Sequence, residues 1–275
     1  MEQAKRKVMK KMELFIGPCV LESEELAMSV AERLVKDLEP YSDKIKMSFK
    51  GSFDKANRSS IDSYRGPGLD EGLRILEKVS KTFNVPTITD FHSPDQAEVV
   101  ASVVDTLQVP AFLCRQTDMI IAGAKACKQY GGQLKVKKGQ FLAPWDCQNI
   151  VEKASNFLPL DKILLTERGT SFGYNNLVVD MASFEIMKSF GVRTVHDATH
   201  CVQKPGGLGK STGGKREQIF TLAKAAIAAG ADALFMEAHP NPERALSDAT
   251  SQLPLDQVAG IIGKLLEIKE VVENV

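Results

Sequence analysis

Residues 13–51, ELFIGPCVLESEELAMSVAERLVKDLEPYSDKIKMSFKG, decide the fold. The stretch opens on a short apolar run, ELFIGPC (13–19), and closes on another, IKMSFKG (45–51). Between them Leu26, Val30, Leu34 and Leu38 recur every four residues, the spacing of one helix face. Strand, helix, strand is the reading. The alternation continues through PTITD (86–90), TLQVPA (106–111), QLKVKKG (133–139), KILLTERG (162–169), RTVHDATH (193–200) and ALFMEAH (233–239). Eight such runs, with helical stretches such as DEGLRILEKVSKTF (70–83) between them, predict an α/β chain folded as a parallel (β/α)8 TIM barrel. A doubly wound open sheet is the alternative, and the strand count decides against it. No Pro/Ser-rich linker divides the chain. Residues 1–275 are therefore expected to form a single barrel domain, with residues 1–12 a short extension before the first strand.

The 275 residues are 43% apolar, enough for a barrel-sized core. Lys+Arg and Asp+Glu both number 35, so the net charge is zero. A global basic field for nucleic acid is absent, and any cationic site must be local. The opening KRKVMKKMELFIG has too short an apolar run for a signal peptide, and no stretch is long enough for a membrane span. The five cysteines (Cys19, Cys114, Cys127, Cys147, Cys201) are dispersed, odd in number and free of any CxxC, which predicts a reducing, cytoplasmic setting.

Each run ends on a polar or ligating residue: Cys19, Lys50, Asp90, Gln108, Lys137, Arg168, His200 and Glu237. In a barrel the C-terminal strand ends share one mouth, where active sites form. FKGSFDKANRSS (49–60) adds Lys55, Asn57, Arg58 and Ser59 directly after the second strand. With Lys137 and Arg168 these cations suit a site for at least two anionic groups, rather than a solvated loop. Cys19, His200, Glu237 and Asp248 are candidate ligands for a divalent ion such as zinc, iron or manganese. Their spacing is no metal signature; only barrel closure would bring them together. Otherwise Cys19 reads as a small buried hydrophobe and His200 as a hydrogen-bonded pocket residue. His239, two residues past Glu237, is a candidate to support the ligands, whereas His92 and His196 carry no assignment. GGLGKST (206–212) is not a phosphate-binding P-loop, because Lys204 stands where that pattern needs its first glycine. KPGGLGKSTGGKR (204–216) reads instead as a lid.

Longer motifs carry a resemblance. FKGSFDKANRSSI (49–61), SYRGPGL (63–69), QVPAFLCRQTD (108–118), VKKGQFLAPWD (136–146), TERGTSFGYNNLVVDM (166–181), DATHCVQ (197–203) and FMEAHPNPERALSDATSQLPL (235–255) resemble the 3-deoxy-D-manno-octulosonate 8-phosphate synthase family. The resemblance implies condensation of phosphoenolpyruvate with arabinose 5-phosphate and water, in the synthesis of the lipopolysaccharide sugar Kdo. It implies a cytoplasmic homotetramer. The related synthase that uses erythrose 4-phosphate is the alternative; it resembles Lys-Pro-Arg-Thr-Ser where this chain has Lys55-Ala-Asn-Arg-Ser-Ser60. Cys19 in GPCVLES and Ser247-Asp-Ala-Thr-Ser251 resemble the metal-dependent class; the metal-free class is similar but has Asn at the Cys19 position. Cys201 and Lys210 depart from the family pattern around the lid.

By resemblance, Lys50, Lys55 and Gln108 surround the phosphoenolpyruvate carboxylate. Lys137, Arg168 and the backbone N–H of Ala111 hold its phosphate, and Asn57, Arg58 and Ser59 bind the pentose phosphate. Arg115 reaches a neighbouring subunit's pentose phosphate, and Asp90 lies near the reacting water. Lys55, Asp90, His200 and Cys19 are the catalytic candidates, and Cys19, His200, Glu237 and Asp248 the metal ligands. A Schiff-base aldolase using Lys50 or Lys137 and a non-catalytic sugar-phosphate binder are the rival readings.

Overall fold

The computed structural model describes residues 10–205 and 213–274. Eight parallel strands form the barrel: β1 (Met12–Gly17), β2 (Ile45–Lys50), β3 (Thr87–Asp90), β4 (Thr106–Val109), β5 (Gln133–Lys137), β6 (Ile163–Glu167), β7 (Arg193–Asp197) and β8 (Ala233–His239). Each pairs in parallel with the next, and β8 returns to β1 through Phe15–Phe235 and Gly17–Glu237, so the sheet closes. The open-sheet alternative is thereby excluded. Met12, expected in the extension, is the first residue of β1 and pairs with Ile45; residues 1–9 lie outside the described residues.

The helices between strands form for local reasons. In α1 (Glu24–Leu38) Ser23 caps the first turn by accepting from Leu26 N–H at 3.1 Å, and Glu24 and Glu25 favour its positive end. In α2 (Leu69–Phe83) the chain leaves through Asn84 in the left-handed conformation (φ 52°). The apolar faces of both pack on the outward residues of the strands. Leu14 and Ile16 of β1 join Ala27, Val30 and Leu34 in the main core.

Alternation along each strand sends the other set of side chains into the barrel. Near the N-terminal end Glu13, Thr106, Gln133 and Arg193 bond to one another, with Gln133 Nε2 donating to Glu13 at 2.8 Å and Arg193 Nη2 donating to Gln133 at 2.7 Å. Phe15, Ile88, Leu164, Val195 and Phe235 follow as an apolar cluster. Lys50, Asp90, Lys137, Asp197 and Glu237 come last, at the C-terminal ends. Those ends are the floor of the site.

Two short antiparallel ribbons that the sequence pattern did not indicate decorate this mouth. One joins Thr170–Ser171 to Leu177–Val178, and the other joins Gln203–Lys204 to Gly213–Gly214. The second flanks the segment read as a lid, of which GGLGKST (206–212) lies outside the described residues.

β1 and β2 meet closely at Gly17. A methyl group there would lie 2.0 Å from the carbonyl oxygen of Lys50. Gly17→Ala is therefore expected to cost more than the ~1–3 kcal/mol of ordinary overpacking. The backbone must part where Cys19 and Lys50 are set. A thermal melt within a degree of the parent would contradict this.

Candidate active site

Barrel closure brings β1, β2, β7 and β8 together, and with them the predicted ligands. The Cys19 thiol, Glu237 and Asp248 offer ligand atoms within 4.8 Å of one another. His200 Nε2 lies 3.5 Å from a carboxylate oxygen of Glu237 and 3.5 Å from one of Asp248. The Cys19 sulfur is 3.5 Å from Asp248 Oδ2 and 3.0 Å from Ser247 Oγ. Asp248 sits in the left-handed region (φ 49°), a conformation that costs energy and marks functional loops.

Charge is crowded here. Burial, then the carboxylates of Asp248 and Glu237, push the Cys19 thiol far up. Burial opposes ionisation of Glu237 as well, but His200, Lys50 and Lys55 outweigh it and hold the acid at about 2. For Asp248, burial is overcome by a hydrogen bond from His200, which with the charges of His200 and Lys55 keeps the carboxyl well below its usual range. A buried carboxylate, a half-buried one, an imidazole and a thiol thus converge on one point. A divalent cation fits that set, because it would balance the carboxylates and stabilise the thiolate.

Beside the cluster a cavity of about 420 Å³ opens at the mouth. Its walls include Lys55, Asn57, Arg58 and Ser59 from the loop after β2, and Asp90 and Ala111 from the ends of β3 and β4. Lys137, Arg168, His200 and Asp248 complete the predicted set that lines it. The size suits small polar ligands. Arg168 is buried, donates to Gln203 Oε1 at 3.1 Å, and has its Nη1 without a hydrogen-bond partner among the described residues. Lys137 reaches Asp197 at 2.9 Å. Asp90 accepts from Ser52 Oγ at 2.6 Å and from the Gln108 amide. Burial works against the Asp90 charge, but Lys55, Lys50 and Lys137 hold its carboxyl well below the usual range.

Three predicted residues lie elsewhere. Lys50 does not line the cavity among the described residues; its ammonium donates to Glu237 Oε1, to the Cys19 carbonyl at 2.7 Å and to the Pro18 carbonyl at 3.2 Å. Gln108 is likewise behind the wall, between Asp90 and Lys135. Arg115 is exposed and lines a second cavity with Asp146, Asn149 and Lys153. His239 is engaged by Asn241 N–H at 3.0 Å and lies 3.6 Å from Glu22. All five cysteines are free and buried.

Sequence reading gives no role to Asp197 or Lys135, and none to Ser52 beyond its hydroxyl among the clustered cations. Asp197 orients His200, with its carboxylate 2.9 Å from Nδ1, and so leaves Nε2 facing Glu237 and Asp248. The missed signal was parity. Asp197 and Lys135 occupy inward positions on strands whose ends had been read only at their last polar residue.

The model of the DAHP synthetase I family matches residues 8–274. The chain belongs to the DAHP synthetase I family. Within it, proteins named 2-dehydro-3-deoxyphosphooctonate aldolase share half of its residues. The Trichlorobacter lovleyi protein is 51% identical over 94% of this chain and 93% of its own length. The Francisella tularensis subsp. holarctica protein is 52% identical over 95% and 92%. The Protochlamydia amoebophila protein is 50% identical over 94% and 91%. That name is another for the octulosonate synthase the motifs resemble, and the erythrose 4-phosphate alternative is not favoured. No helix among the described residues is long and apolar enough to cross a membrane.

Proposed function

We propose that this chain condenses phosphoenolpyruvate with arabinose 5-phosphate and water, giving 3-deoxy-D-manno-octulosonate 8-phosphate and inorganic phosphate. The observation that carries the reading is the convergence of Lys55, Arg58, Lys137 and Arg168 on one cavity, beside Asp90 and the Cys19–His200–Glu237–Asp248 cluster. Two anions that repel each other must be held in contact. Clustered cations offset that repulsion, and a fixed geometry replaces a chance encounter.

In this reading Lys137, Arg168 and the Ala111 backbone hold the phosphate of phosphoenolpyruvate, and Lys55 its carboxylate. Asn57, Arg58 and Ser59 hold the pentose phosphate. C3 of phosphoenolpyruvate attacks the aldehyde carbon, and positive character develops at C2. Water adds there, and the tetrahedral species loses phosphate by C–O cleavage. Asp90, held ionised with both oxygens fixed by Ser52 and Gln108, is placed to orient the water and take its proton. Lys50 acts through Glu237, whose carboxylate it anchors.

A divalent ion would be held by Cys19, His200, Glu237 and Asp248, where it would supply Lewis acidity. The same reading places the enzyme in the cytoplasm, in Kdo synthesis, as a homotetramer. Arg115, exposed away from the main cavity, then serves a neighbouring subunit.

Phosphate release is the test. Mixing both substrates is expected to release phosphate, neither alone to do so, and erythrose 4-phosphate to substitute poorly for the pentose. A binder would release none. Substrate trapped on a lysine by borohydride would favour an imine aldolase instead.

A further inference from the structure

One buried lysine has no place in that mechanism. Lys135 points into the barrel from β5, fully buried, against the rings of Phe15 and Phe235. Its Nζ lies 4.5 Å from the Phe235 ring centre and 5.6 Å from that of Phe15. No acidic side chain pairs with it at salt-bridge distance among the described residues. Burial, and then the nearby Lys137, push its pKa well down, although Asp197 and Asp90 oppose this. Natural cores seldom retain a lysine without a partner unless it does something.

Its one side-chain hydrogen bond among the described residues shows what. Lys135 Nζ donates to Gln108 Oε1 at 2.6 Å, and Gln108 Nε2 donates to Asp90 Oδ1. Ser52 Oγ donates to the other Asp90 oxygen at 2.6 Å, and Lys55 donates to Ser52 at 3.0 Å. A carboxylate only accepts, so the Gln108 amide must turn its NH2 towards Asp90. Its oxygen then faces the interior and needs a donor there. Lys135 is that donor. Without it the amide oxygen is a buried acceptor with no partner, and rotation of the amide relieves this at the expense of the Asp90 contact.

The geometry points to Lys135 as a positioning residue that locks the Gln108 amide and thereby aims the Asp90 carboxylate into the cavity. It touches neither substrate nor the reacting atoms. The inference rests on the proposed function only for what Asp90 then does; the locking itself is a property of the fold.

The test is a double-mutant cycle in the full-length enzyme. Lys135→Met removes the donor but fills the space beside Phe15 and Phe235, so the melting temperature is expected to hold. Turnover with phosphoenolpyruvate and arabinose 5-phosphate is expected to fall about tenfold to a hundredfold, the cost of a misaimed group. KM for the pentose phosphate is expected to change little. In a Gln108→Met background the Lys135→Met change is expected to cost nothing further, because both act through one contact. Lys135→Gln, which keeps an amide donor, is expected to recover part of the loss. A crystal structure of Lys135→Met reads the locking without turnover, and the Gln108–Asp90 contact is expected to be lost. Retention of that contact overturns the inference even if turnover falls. So do effects that multiply in the cycle, or failure of both Lys135 variants to fold. Absence of phosphate release by the parent protein would instead overturn the proposed function and leave the crystallographic result to decide the locking.

Discussion

Cys19→Ala is expected to strip the ion and at least about 100-fold of the turnover. Groups that merely support metal ligands typically cost 10- to 100-fold in affinity or activity when removed, so loss of a ligand should exceed that range. Cys19 is fully buried, its backbone N–H is held by Gln252 Oε1 at 3.2 Å, and its sulfur faces Asp248. Losing the thiolate leaves Glu237, Asp248 and His200 with too few donors for a closed site. The prediction has two readouts. Elemental analysis should find about one divalent ion per parent chain and much less in the variant. Chelation should lower parent activity, and metal add-back should restore it. Cys19→Asn should retain more activity than Cys19→Ala, because the metal-free class has Asn there. Equal activity of Cys19→Ala before and after chelation, at the parent level, would remove any catalytic role for an ion.

The barrel itself was legible because its signal is local. β1, α1 and β2 each show their own periodicity, and the same unit recurs around the ring. The strand-end residues were legible for a related reason: closure maps the last polar residue of each run to one rim. What lay one residue pair deeper was not. QLKVKKG contains Lys135 two positions before Lys137, on the same face, yet a lysine in mid-strand ordinarily reads as solvent-facing. Its burial depends on Gln108 of the neighbouring strand, a partner that no local pattern supplies. Lys50 shows a similar limit: it ends β2 as its run indicates, but that run says nothing of Glu237, which β8 places beside its ammonium. Arg115 shows a different limit. Its role was implied across a subunit boundary, and a single chain offers only an exposed side chain in a separate cavity.

Arg168 should show activity and stability moving in opposite directions. Its guanidinium is buried at the cavity, where among the described residues it donates to Gln203 and has one nitrogen without a partner. Burial pulls its pKa down, against the favourable field of Asp197, which signals a cation held at some cost. In the proposed complex a phosphate dianion supplies what is missing, through a paired fork that lysine cannot reproduce. Arg168→Met should therefore lower kcat/KM by about 100- to 1,000-fold, the range for one donor aimed at developing charge. Its melting temperature should stay level or rise, since burial of the guanidinium is costly and, among the described residues, no carboxylate lies within salt-bridge distance of it to be left unpaired. Phosphoenolpyruvate should raise the melting temperature of the parent, because a ligand at 100 times its Kd stabilises by roughly 2.7 kcal/mol, and should not raise that of the variant. Arg168→Lys should resemble Arg168→Met in activity. If Arg168→Met instead melts several degrees lower and keeps its response to phosphoenolpyruvate, Arg168 is a structural cation, and the anion site must be sought among Lys55, Arg58 and Lys137 alone.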